Sequence, residues 1–321
     1  MPVTRRSLLA AGLALPAALS APSARAQTAK LTVVATTGMI ADAARQVGGE
    51  AVEVRALMGP GVDPHAYRQT RSDIAAMARA DLVLWHGLYL EAQMEDFFRD
   101  LAKRRRVVAV AERIAPARLI AHDEYKDKFD PHVWMNPDLW AEVAAAVRDA
   151  MIAARPAARA AFEANAAAHL QMIAALATYS RMVLGSVPEA RRVLVTAHDA
   201  FNYFGAAYGF QVEGIQGIST ESEAGLTRIR ELVDLLVARK IGAIFIESSV
   251  SDRNVRALIE GAAARGHTVA IGGELFSDAM GETGTYEGTY IGMIDHNVTV
   301  IARALGGEAP ARGMTQRLAA K

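Results

Sequence analysis

Asp130-Pro131-His132-Val133-Trp134-Met135-Asn136-Pro137 is the stretch from which the rest of this chain is read. It is too polar at its start and too tightly bounded by proline to be plain core. The tripeptide Asp-Pro-His also stands earlier, at Asp63-Pro64-His65. In each copy a proline of fixed φ precedes the histidine, so the imidazole leaves a stiff turn. A site that must hold an ion in one geometry gains from such stiffness. Two copies so far apart predict two lobes, or two loops of one lobe, converging on one ion.

Outward from the two copies, strands and helices alternate. Leu31–Thr36, Ala51–Met58, Asp81–Trp85 and Val107–Val110 read as strands, with helices over Ile40–Val47, Ser72–Ala80 and Glu91–Lys103 between them. A polar, irregular segment from Ala115 to Phe129 leads into the opening motif, and a helix starts at Pro137, where proline is tolerated in the first turn. From Ala157 to Leu184 there is no glycine or proline and alanine dominates. Such a helix is on the order of 40 Å long and acts as a rod, not a flexible hinge. The alternation then resumes. Strands are expected at Val193–Ala197, Gln211–Ile215, Ala243–Glu247 and Thr268–Ile271. Helices are expected at Ala200–Tyr208, Thr227–Lys240, Asn254–Arg265 and Ile291–Leu305, with a glycine-rich acidic loop over Gly272–Thr289. The expectation is an α/β protein of two lobes, 27–155 and 185–321, each with a mostly parallel sheet flanked by helices. The rigid helix 156–184 joins them.

Met1 to Ala26 reads as an export signal. Arg5-Arg6 precedes the apolar run Leu8–Leu19, and Ala24-Arg25-Ala26 is a small-residue cleavage site. Thr4-Arg5-Arg6-Ser7-Leu8-Leu9 is similar to a twin-arginine signal, with the general secretory route as the alternative. The run is too short to span a bilayer. The chain has no cysteine, so neither a disulfide nor a lipid-modified cysteine is expected, and any metal must be held by imidazole, carboxylate or water. Lys plus Arg equals Asp plus Glu at 35 each, which gives no basic excess for nucleic acid. The expected molecule is a periplasmic, unanchored monomer.

Ligands of open parallel sheets bind beyond the C-terminal ends of the strands. The polar residues there are His65, His86, His132, His198, Glu247, Glu274 and Asp278. Three histidines and a carboxylate from this set suffice for a divalent transition metal. His86, His122, His169, His267 and His296 read as caps, core or surface residues. No HExxH, GxSxG, Walker A or GxGxxG pattern is present.

At these residues the chain resembles the metal-binding substrate-binding proteins of zinc and manganese ABC importers, of the TroA type. The shared stretches are Gly61-Val62-Asp63-Pro64-His65, Asp130-Pro131-His132-Val133-Trp134 and His198-Asp199-Ala200-Phe201. They continue through Gly217-Ile218-Ser219-Thr220-Glu221, Phe245-Ile246-Glu247-Ser248-Ser249, Gly273-Glu274-Leu275-Phe276-Ser277-Asp278 and Thr289-Tyr290-Ile291-Gly292-Met293 to His296-Asn297. The resemblance implies two lobes on one backbone helix with Zn2+ or Mn2+ between them. It implies His65 and His132 as ligands from the first lobe and His198 and Asp278 from the second. An inner-membrane ABC permease with its cytoplasmic ATPase is the implied partner.

Two departures from the family pattern bear on the metal. The His- and acid-rich loop of some zinc-dedicated members is short here, with His122, Asp123, Glu124 and Asp127. Many manganese-dedicated members carry glutamate in place of His198.

A ligating imidazole gives its other N–H to a carboxylate or carbonyl. Glu247 is the main candidate for that role, followed by Asp63, Asp130 and Asp199. Trp134 is expected beneath the site, keeping water out. The competing reading is a periplasmic zinc metallohydrolase, with Glu247 or Glu221 as base and an open coordination position. Four protein ligands favour binding; three plus water favour the enzyme.

Overall fold

Strand β1 (Leu31–Ala35) is apolar on both faces because it lies inside its sheet, between β2 (Val52–Ala56) and β3 (Leu82–Trp85). With β4 (Val107–Ala109) the order is β2-β1-β3-β4, and every pairing is parallel. The computed structural model describes residues 29–122 and 125–319; the expected leader Met1–Ala26 and the pair Asp123 and Glu124 lie outside them. Parallel strands need helical crossovers, supplied by α1 (Gly38–Gly48), α2 (Arg71–Arg79) and α3 (Glu95–Ala102). Thr37 caps α1, and Thr70 with Asp73 forms a capping box on α2. The first Asp-Pro-His follows β2 and His86 follows β3, so both come off the same rim of the sheet.

Asn136 ends the opening motif by accepting the N–H of Asp138 at 2.9 Å, and Pro137 opens α4 (Pro137–Ala154). A 3₁₀ turn over Pro156–Ala158 leads into α5 (Arg159–Gly185), 27 residues long. At 1.5 Å per residue it spans roughly 40 Å. Phe162, Ala166, His169, Ile173, Leu176, Ser180 and Val183 form its buried stripe. It packs on α1 and α4 of the first lobe and on α6 (Asn202–Tyr208) and α9 (Tyr290–Ala304) of the second.

The second lobe contains β5 (Val193–Thr196) paired with β6 (Gln211–Gly214), and β7 (Ala243–Glu247) paired with β8 (Ala270–Leu275). Helices α7 (Leu226–Ala238) and α8 (Arg253–Ala264) flank them. Both pairs are parallel, but they are two separate ladders, with β5 and β7 side by side. The expected last strand is thus displaced: β8 runs on through Gly272 and Gly273, residues read from sequence as loop. Those glycines serve close packing. A Cβ on Gly272 would lie 2.9 Å from the Phe245 ring, and one on Gly273 would lie 2.5 Å from Val300 of α9. The register shift between Ile244 and Phe245 absorbs the irregularity.

One apolar core runs without a break from Leu31, Val33 and Ile40, through Trp134, Trp140, Phe162 and Leu176, to Phe245, Tyr290 and Val298. Each such side chain contributes about 1.5–3 kcal/mol on burial. The lobes are therefore joined by shared core as well as by α5. Among the described residues no helix is long and apolar enough to cross a membrane.

Candidate metal centre

The two Asp-Pro-His copies fold alike. Asp63 Oδ1 accepts the N–H of His65 at 2.8 Å, and Asp130 Oδ1 accepts that of His132 at 2.9 Å. Each aspartate closes a turn two residues on, as short acceptor side chains do. Asp130 does more, since the same oxygen lies 2.7 Å from His132 Nδ1. With that N–H given to a carboxylate, the Nε2 lone pair points the other way. In the second lobe, His198 follows β5 and Glu247 ends β7. Glu247 Oε1 accepts the His198 backbone N–H at 2.9 Å, and Oε2 lies 2.5 Å from Nδ1. Asp278 follows β8. Asn297 of α9 steadies its loop by accepting the Phe276 N–H at 2.9 Å and donating to the Phe276 carbonyl at 2.7 Å.

His65, His132, His198 and Asp278 meet at one point, each offering a ligand atom within 4.8 Å of the others. His65 Nε2 lies 3.3 Å from His132 Nε2 and 3.7 Å from Asp278 Oδ2. Asp278 Oδ1 is 3.4 Å from His132 Nε2, and Oδ2 is 3.1 Å from His198 Nε2. A tetrahedral ion with bonds of about 2.0–2.1 Å has donors roughly 3.3 Å apart, close to these separations. The four residues are at most 3% exposed. Among the described residues neither oxygen of Asp278, nor Nε2 of His198, has a hydrogen-bond partner. A buried carboxylate without donors is costly unless a cation sits beside it.

The electrostatics agree. Burial pulls His132 down, but Asp130 and Asp278 outweigh it and lift the imidazole to about 9. Burial likewise opposes His198, and Asp278 with Glu247 carries it well above the ordinary histidine value. Burial raises Asp278, yet His198 and His132 hold it well below the usual carboxylate range. Burial takes His65 down to about 3 against the pull of Asp278. His132 and His198 thus hold protons beside Asp278, and a dication can replace them.

The other sequence candidates take supporting places. Trp134 is fully buried, with its ring 5.2 Å from that of His132, and its Nε1–H donates across the lobes to the Ser277 carbonyl at 2.8 Å. Asp63 Oδ2 accepts from Thr220 Oγ1 at 2.6 Å. Asp199 Oδ2 and Asp130 Oδ2 both accept from the Asn202 amide, at 2.9 and 3.1 Å. Glu274 lies in β8, and its carbonyl accepts from His296 Nε2 at 2.9 Å. His122 accepts the Tyr125 N–H, His267 donates to the Ile241 carbonyl, and His169 is buried on α5.

Sequence reasoning passed over His86, Asn202, Thr220 and Asn297 as supports. His86 Nε2 donates to the Pro131 carbonyl at 2.7 Å and so fixes the second Asp-Pro-His turn. Its place at the end of β3 was the available signal. Asn202 and Thr220 each reach an aspartate of the other lobe, Asp130 and Asp63, and sequence carries no sign of those pairings.

Residues 33–304 match the family described as zinc-uptake complex component A, periplasmic. The chain is 49% identical over 276 residues to the manganese-binding lipoprotein MntA of Bacillus subtilis strain 168, covering 86% of this chain and 90% of that protein. It is 48% identical over 276 residues to the zinc-binding protein TroA of Treponema pallidum strain Nichols, covering 86% and 89%. The solved structure of the periplasmic zinc-binding protein TroA from Treponema pallidum superimposes with a TM-score of 0.84 at 47% identity, over 86% of this chain and 99% of that one.

Proposed function

The chain belongs to the zinc-uptake component A family, the metal-binding substrate-binding proteins of ABC importers, and on that premise we propose that it captures one divalent ion, zinc or manganese, between its lobes for an ABC permease. The ligands in this reading are His65, His132, His198 and Asp278. The observation that carries it is the convergence of these four buried donors from both lobes on one point, with neither Asp278 oxygen hydrogen-bonded among the described residues.

The chemistry follows from the donor set. Three imidazoles suit zinc, and four ligands close a tetrahedral site. Asp278 turns both oxygens toward the histidines, which offers a fifth donor to manganese. Asp130 and Glu247 fix the tautomers of His132 and His198, so that Nε2 binds the ion. Trp134 seals the floor. No bond of a substrate is made or broken. A metallohydrolase needs an open position for water, which four protein donors do not leave.

The protein acts outside the cytoplasm and works with a permease and its ATPase. We place it in the periplasm, freed of its leader after Ala26, unanchored and monomeric. The lack of any cysteine to carry a lipid supports that placement, although relatives such as MntA are lipoproteins. Native mass spectrometry with elemental analysis of protein from its own periplasm tests the function. One zinc or manganese per chain is expected; purification free of both metals, and failure to take up either, would end the reading.

A further inference from the structure

Asp63 sits between the lobes. One oxygen holds the His65 backbone N–H at 2.8 Å, and the other accepts the Thr220 hydroxyl at 2.6 Å, from a residue 157 positions away. The three histidines of the centre are not buttressed alike. Asp130 and Glu247 each meet their imidazole at Nδ1, from within the same lobe. Asp63 meets His65 at its backbone, so the ring is aimed through the turn. Among the described residues that turn is hydrogen-bonded to the opposite lobe through the Thr220 hydroxyl. The segment beyond Thr220 spans the lobes too, since the Gln93 amide donates to Glu221.

His65 and Asp278 are 3% and 2% exposed, where His132 and His198 are fully enclosed. A cavity of about 190 Å³ lies against Asp63 and Thr220, and exposed Glu223, Ser251 and Arg253 help to line it. Solvent therefore reaches the Thr220–Asp63 link itself.

We infer that Thr220 is a positioning residue that sets how fast the metal leaves: its hydroxyl holds Asp63, Asp63 holds the turn of His65, and release starts when that hydroxyl lets go. This rests on the reading of the centre as a metal-capture site. It assigns the Gly217–Glu221 segment a part in release, although none of its side chains is among the four converging donors. A permease that draws this segment aside would loosen His65 first and leave the better-braced His132 and His198 in place.

The test uses the full mature chain loaded with zinc alone, and follows metal loss into an excess of chelator. Thr220→Val keeps the shape and removes the donor. The lost bond runs to a carboxylate acceptor, so dissociation is expected to quicken on the order of tenfold or more. Loading of one ion per chain stays as in the parent, and the metal-free protein still melts cooperatively, somewhat lower because it loses the same bond. Thr220→Ser restores the slow rate. Asp63→Asn keeps an oxygen for the turn and replaces the charged acceptor by an amide N–H, leaving Thr220 a weaker, neutral bond of reversed direction, so it quickens release as well, by less than Thr220→Val. The double variant is no faster than the faster single one, because both changes break one link. Parental dissociation in a fully loaded Thr220→Val protein overturns the inference. So does a Thr220→Ser protein as fast as Thr220→Val, or additive effects in the double variant. A parent chain that loads no zinc strikes the capture reading instead.

Discussion

Glu247 holds His198 with both carboxylate oxygens, one on the backbone N–H at 2.9 Å and one on Nδ1 at 2.5 Å. The residues stand at the ends of neighbouring strands, β5 and β7, so the sheet itself sets their spacing. A glutamine in place of Glu247 offers only one acceptor and no charge. Glu247→Gln is therefore expected to weaken metal binding about 10–100-fold, the usual cost of losing a partner behind a ligating imidazole. Circular dichroism should be unchanged. Competition against a chelator of known affinity measures the effect, and an unaltered dissociation constant would show that Glu247 does not act through His198.

Binding that reaches only the folded state must stabilise it. At a free metal concentration about a thousandfold above the dissociation constant, the gain is about 4 kcal/mol. For a chain of this size, that is a rise in melting temperature on the order of 10 °C. His65→Ala and Asp278→Ala each remove one of the four converging donors. Both variants should fold, lose tight binding in titration calorimetry, and lose the metal-induced rise. If either variant keeps the full rise, that residue is not a ligand.

Glu91 is a buried carboxylate away from the centre, and it gives a pH dependence of its own. Its oxygens accept the Thr36 hydroxyl at 2.6 Å and the N–H groups of His86 and Gly87 at 2.8 and 3.2 Å. They brace a bend in which Gly87, Leu88 and Tyr89 all have positive φ. Burial, opposed by these bonds, raises its pKa from 4.5 to about 7. Between those values the folded state holds the proton more firmly than the unfolded chain. The resulting stabilisation is complete below about 4.5 and is lost as pH climbs to about 7, a change on the order of 3 kcal/mol. Metal-free protein should therefore melt with a downward component over that range, and Glu91→Gln should lack it. Parallel melting profiles would refute this.

The element pattern was legible because burial writes itself into sequence periodicity. The helix expected over 156–184 forms over Arg159–Gly185, and the strand expected over Ala243–Glu247 has those bounds. β8 was misread because glycine signals a turn and close packing alike; only the neighbouring Phe245 and Val300 decide which. The duplicated Asp-Pro-His could be read as a turn with a projecting imidazole, since its aspartate acts locally. The different task of each aspartate could not. Asp130 reaches a ring and Asp63 reaches Thr220 through tertiary placement alone. His86 looked like a strand exit and proves to hold the carbonyl of Pro131, 45 residues on.

The extent of lobe motion follows from how the halves are joined. Tyr290 is fully buried, stacks on Trp140 at 5.1 Å, donates its hydroxyl to the Trp134 carbonyl at 2.9 Å and gives its backbone N–H to Asp42 of α1 at 2.9 Å. Trp134 in turn reaches Ser277, next to Asp278. A wide hinge opening would break these bonds and part a continuous core, at about 1.5–3 kcal/mol for each large side chain uncovered. Metal exchange is therefore expected to proceed through small shifts in the loops around Gly59–Tyr67, Gly217–Gly225 and Phe276–Thr289, while α5 and the core stay fixed. Small-angle scattering should give the same radius of gyration for metal-free and loaded protein, with hydrogen-exchange differences confined to those loops. A marked contraction on loading, with protection gained along α5 and α9, would mean that the lobes close as rigid halves and that the shared core parts in the metal-free state.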